Sequence, residues 1–136
     1  MDPQQEIFTA IKLELEKKGY DVYDGMLPPD DTPYPFIYLG QARQTDDLRY
    51  KGSMLASVFQ DIHVWHNSPK KRGTVSEMIG DIRRVCASLE STDSYSWQYK
   101  GMESNILTDA TTKTPLLHGV ATAEFHLTGG IEHEEV

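Results

Sequence analysis

Residues 54–66 form the segment that most restricts what this chain can fold into. Val58, Gln60, Ile62 and Val64 alternate with Phe59, Asp61, His63 and Trp65. A period of two is that of a β-strand, whose successive side chains point to opposite faces of a sheet. Here each set mixes apolar and polar side chains, so neither face reads as plain solvent-facing surface. The pattern predicts the longest strand of the chain. One face packs on a core, and the other is partly covered by another element or another subunit.

Two helices and further strands are expected around it. Asp2 and Pro3 are suited to opening a helix over residues 3–18. Ile7, Phe8, Ile11 and Leu15 share one face of it, and Gly19 stops it. Residues 20–25 read as a short extended segment and turn, followed by a loop rich in proline, with Pro28, Pro29, Pro33 and Pro35. Residues 35–40 read as a strand and the polar stretch 41–52 as a long loop. Thr74 and Glu77 have capping-box spacing for a second helix that buries Met78, Ile79, Ile82, Val85, Cys86 and Leu89. Gly80 inside that helix offers a place for close packing on the sheet. Tyr95, Trp97 and Tyr99 begin a strand, and Leu117, Gly119, Ala121, Ala123, Phe125 and Leu127 line one face of a last one. Gly129 and Gly130 read as a flexible exit, and 129–136 as a tail. The expectation is therefore a single α+β domain over residues 1–136, an antiparallel sheet of about four strands with two helices on one face.

Composition narrows the function classes. A chain of 136 residues fits one domain. Its formal net charge of -8 argues against broad nucleic-acid binding, which needs a basic face. The single cysteine, Cys86, rules out a disulfide within the chain and suits a reducing compartment. Cys86 falls on an apolar helix stripe and reads as core. The N-terminus lacks the pattern of a signal peptide, and no window is apolar enough for a membrane span, so synthesis and folding in a cytoplasm are expected.

No catalytic motif emerges. His63 and His66 are three apart, which would serve a metal on a helix but not on a strand. Nucleophile-elbow, Walker and dinucleotide patterns are missing from the sequence. An enzymatic or ligand-binding reading would need a closed polar cavity lined by Tyr38, Asp61 and His63. The cationic run Lys70-Lys71-Arg72, with Arg83 and Arg84 beyond it, is the main positive concentration. It suits an acidic neighbour, including another copy of this acidic protein, or passing DNA.

Four landmarks occur in order along residues 5–128. They are Val22-Tyr23-Asp24-Gly25 with Pro28-Pro29, Pro35-Phe36-Ile37-Tyr38-Leu39-Gly40, His63-Val64-Trp65 leading to Glu77-Met78-Ile79-Gly80-Asp81-Ile82-Arg83-Arg84-Val85, and Leu117-His118-Gly119-Val120 running to Phe125-His126-Leu127. Together they resemble the phage and prophage tail completion, or tail-terminator, proteins that join tail to head. The resemblance implies a non-enzymatic subunit without cofactor or metal. It would form a ring, usually a hexamer, at the head-proximal end of a long tail, made in the host bacterial cytoplasm. The implied partners are further copies of itself, the tail tube protein and a head connector or completion protein, with DNA only passing through and no membrane. A head-completion adaptor is the alternative within that class. Interface candidates, chosen for loop character, charge and aromatic content, are Asp46, Asp47 and Arg49 in loop 41–52, then Trp65, Lys70, Lys71 and Arg72, and loop 109–114.

Overall fold

The computed structural model describes residues 1–26, 28–47, 55–111 and 113–131. Helix α1 spans Pro3–Lys17, strand β1 Val22–Asp24, β2 Phe36–Asp47, β3 Leu55–His66, helix α2 Arg72–Ser88, β4 Tyr95–Asp109 and β5 Leu116–Gly130. The strands form a five-stranded sheet in the order β1-β2-β3-β5-β4. It has one strand more than the sequence suggests, because the short segment after α1 joins it. That strand, β1, runs parallel to β2, so the sheet is mixed rather than purely antiparallel. The other neighbours are antiparallel.

The central alternation is as expected. Val58, Gln60, Ile62 and Val64 are fully buried, whereas Phe59, Asp61, His63 and Trp65 are half-buried. In register with the inward set stand Ile37 and Leu39 of β2, and Gly119, Ala121, Ala123 and Phe125 of β5. Ile7, Ile11 and Leu15 of α1 and Val75, Met78, Ile79, Ile82, Val85 and Cys86 of α2 complete a single core cluster with them. Burial pushes the Cys86 thiol up to about 12, which keeps it protonated and inert. Trp97 is buried edge-on against Phe125, and Tyr99 leans on the same ring, so the aromatic face of β4 belongs to the core.

Several boundaries differ from the sequence reading. Residues 41–47 are strand, not loop: after an irregularity between Leu39 and Ala42, Arg43 to Asp47 pair with Phe59 to Leu55. Polar residues are stable there because the ladder satisfies their backbone groups, while Gln44 accepts the Gln4 backbone N–H of α1 at 3.1 Å and Arg43 lies over the Phe59 ring on the other face. The remainder of the loop, 48–54, lies outside the described residues. Strands β4 and β5, with 15 residues each, exceed the 12 of β3, so the 54–66 strand is not the longest. Gly129 and Gly130 pair with Ser96 and Tyr95 rather than forming a loose exit. The acidic stretch 132–136 lies outside the described residues. Helix α2 begins at Arg72 with Lys71 at its N-cap, so Thr74 lies within the helix and no capping box forms. Asp2 does occupy the N-cap of α1, but without a side-chain cap bond.

The close approach of helix and sheet occurs at Gly119, not Gly80. A Cβ on Gly119 would lie 2.9 Å from Val75 Cγ1 and 3.0 Å from Ile79 Cδ1. A Cβ on Gly80 would meet only the Arg84 guanidinium at 3.6 Å. Gly119, Ala121 and Ala123 thus make a shallow trough in β5, and α2 sits in it. Buried Gln60 secures the irregularity in β2, its amide shared among the carbonyls of Asp61 (2.9 Å), Gly40 (3.2 Å) and Gln41 (3.4 Å). The two helices are tied where the Tyr20 hydroxyl, just beyond α1, donates to Asp81 of α2.

Gly119→Val should lower stability by about 1–3 kcal/mol, the usual cost of overpacking. Urea unfolding would show it as a lower midpoint at unchanged slope. An unchanged midpoint would mean that α2 can back away from β5 without cost.

Candidate functional site

The outward face of the sheet gathers aromatic and imidazole rings at one end. Phe36 pairs with Trp65 and Tyr38 with His63 across β2 and β3, while Trp65 pairs with His118 across β3 and β5. His118 stacks on Trp65 with centroids 3.8 Å apart and planes 6° from parallel. His63 lies diagonally beside it at 5.0 Å, and Nδ1 of His63 is 2.7 Å from Nε2 of His118. One imidazole donates and the other accepts, which requires at least one neutral ring. The Tyr38 hydroxyl donates to the Gly25 carbonyl (2.6 Å), which holds the start of the proline-rich loop against β2.

Burial, opposed by Asp61, holds His63 below its ordinary value. Burial first, then the neighbouring His63, with Asp109 opposing, does the same to His118. Both shifts favour the neutral imidazole at pH 7.

Two concavities flank the ring cluster. A cavity of ≈ 260 Å³ lies between the loop residues Pro28, Pro29 and Tyr34 and the sheet residues Phe36, Trp65 and Leu116. A groove of ≈ 570 Å³ runs past Phe8, Asp24, Tyr38, Gly40, Asp61 and His63. Tyr38, Asp61 and His63 do converge there, but the groove opens to solvent rather than closing into a chamber. Each of the three is already engaged: Tyr38 with Gly25, His63 with His118, and Asp61 as acceptor from Thr122 Oγ1 at 2.7 Å. Among the described residues no group of three or more His, Cys, Asp or Glu comes together as a metal would require. Among the described residues no helix is long and apolar enough to cross a membrane.

The interface candidates fall into separate places. Trp65 lines the aromatic cavity. Asp46 and Asp47 lie at the end of β2, paired with Ala56 and Leu55. Arg49 lies outside the described residues. Lys70 and Lys71 are exposed in the turn before α2, and Arg72 opens the helix. Arg72 joins Ser76, Arg83, Ser104 and Asn105 around a polar groove of ≈ 330 Å³ between α2 and the edge strand β4. The loop 109–114 is described apart from Thr112, and Asp109 accepts from the Thr111 backbone and hydroxyl. Sequence reasoning missed His118 as the partner of both Trp65 and His63. Only the β3–β5 register brings them together, and the alternation of β5 alone does not disclose it.

No protein-family model matches this chain, and no curated protein matches it in sequence. Among solved structures, a chain of the "Virion of native gene transfer agent (GTA) particle" superposes with a TM-score of 0.57. The match covers 87% of this chain and 92% of that chain at 14% identity. What the two share is the fold. The superposition runs through nearly all of both chains, so the common unit is the whole α+β domain and not a fragment of it.

Acid should loosen the ring cluster. A histidine whose folded pKa lies below its unfolded value binds fewer protons in the native state. Stability is then complete above the ordinary value of 6.5 and falls as pH drops from there towards the lowered folded values. Urea midpoints at pH 7.5 and 5.5 should show this loss. It should be shallower in His118→Phe, which keeps a ring on Trp65 but removes one titrating group. An equal loss in the variant would place the acid sensitivity elsewhere.

Proposed function

We propose that this chain is a structural assembly protein of a long-tailed phage or phage-like particle. In this reading it forms a ring at the head-proximal end of the tail, stops tube growth and joins tail to head. The observation that carries the reading is the near full-length fold likeness to a chain of a gene transfer agent virion. The ordered landmarks of the sequence, which resemble tail completion proteins, point the same way.

The surface suits that role. In this reading both helices pack on one face of the sheet, and the other face offers half-buried rings and an aromatic cavity to neighbours. Tyrosine, tryptophan and histidine in such settings provide contact area with little loss of side-chain freedom. Partners are further copies of the chain, the tube protein and a connector-side protein, and the site of action is the virion. No cofactor, metal or reaction is needed.

A second reading rests on the open groove beside Tyr38, Asp61 and His63, which would suit a small ligand-binding domain. It requires saturable binding of a small molecule that Asp61→Ala abolishes, with no affinity for virion parts.

Purified protein mixed with tail tubes of its own phage should cosediment with them and appear in electron micrographs as a ring on one tube end. Binding to isolated head connectors, and not to tubes, would assign the chain to the neck instead. Absence from both would overturn the assembly role.

A further inference from the structure

We infer that the polar groove between α2 and β4 receives the acidic turn at Asp30 and Asp31 of a second copy of this chain. The contact deepens the assembly reading above and rests on it for its biological setting.

The groove is cationic in a protein that is otherwise strongly acidic, with 21 Asp and Glu against 13 Lys and Arg. Arg72 and Arg83 line it, with Ser76, Ser104 and Asn105 as neutral hydrogen-bonding neighbours. Among the described residues Arg83 donates only to the Ser104 hydroxyl, at 3.4 Å. Among the described residues Arg72 and Arg83 have no carboxylate partner, whereas nearby Arg84 is held by Asp81. The first turn of α2 contains no acidic residue, so Arg72 stands at the positive end of the helix dipole with no carboxylate in that turn to offset it. Two guanidinium groups flanked by hydroxyl and amide groups match carboxylates, which arginine binds through paired hydrogen bonds.

The chain presents a matching group. The Thr32 backbone N–H donates to the Pro29 carbonyl at 2.9 Å, closing a turn with Asp30 and Asp31 at its centre. Both aspartates are exposed and have no cationic partner among the described residues. Pro28, Pro29 and Pro33 fix φ around the turn, so docking it orders little that is not already ordered. The turn borders the aromatic cavity on the outward face, and the cavity and the α2–β4 groove share no lining residue. One copy therefore contributes the turn and the next the groove. Such a heterologous contact leaves one free patch of each kind, and repetition of it closes into a ring when the rotation allows.

A charge-swap experiment tests this. Sedimentation velocity of the full chain would be run over a range of salt concentrations for wild type, R72E/R83E and D30K/D31K, each first checked for native circular dichroism. All four residues are surface positions, so the variants should fold. Wild type should self-associate at low salt and dissociate as salt rises. Each variant alone should associate about a hundredfold more weakly or worse, because its swap places like charges together. An equimolar mixture of the two variants should recover association, since every contact in it again pairs opposite charges. Wild type that stays monomeric at every salt and concentration would overturn the inference. So would variants that associate like wild type, or a mixture that stays monomeric. Low-salt binding of a DNA duplex that R72E/R83E abolishes, with self-association unchanged, would overturn it and assign the groove to phosphates. Tail tubes capped equally well by wild type and both variants would leave the assembly role standing without this contact. The charge-swap pattern without tube binding would do the reverse.

Discussion

The seating of α2 on β5 is the constraint from which the rest of the structure follows. At Gly119 the helix side chains Val75 and Ile79 come so near the strand that even a methyl group would clash. Such an approach is possible only where the strand is shallow, and Gly119, Ala121 and Ala123 make it so along the register with β3. Larger residues at both ends, Leu117 and Phe125, close the trough. With one helix fixed there, β3 is held at the centre of the sheet. Its inward residues are sealed, and its outward residues become the floor of the ring cluster.

Much of this was legible in the chain. Alternation in residues 58–65 separated the buried face of β3 from its outward face, and helical spacing identified most of the buried stripe of α2. Period-based reasoning succeeds in these places because burial on one side imposes it. It failed in residues 41–47, where backbone pairing and not side-chain burial maintains the strand and polarity imitates a loop. It failed at Gly80 and Gly119 because close approach depends on which element lies opposite, and no local pattern carries that information. The three-residue β1 was read as extended, but its parallel pairing to β2 depends on tertiary context.

The candidate site was legible only in pieces. Trp65 and His63 stood out as residues sharing one face of a strand, yet their shared partner His118 comes from a strand more than fifty residues later, at a sequence separation of 55 from His63. The basic run was visible, while its useful geometry involves Arg83 and the far edge strand rather than Lys70 and Lys71. Polar groups in the outward cluster bond to one another, and the cations of the α2–β4 groove lack carboxylate partners among the described residues. In the proposed assembly both serve as contact surfaces, an aromatic one fixed by stacking and a charged one that takes an acidic complement.

The most direct test of the assembly role is electron microscopy of lysates from a host whose phage or prophage lacks this gene, beside the same host complemented with it. The account predicts separate DNA-filled heads and unjoined tails of irregular length, with complete particles restored on complementation. Joined particles with tails of normal length in the absence of the gene would contradict it.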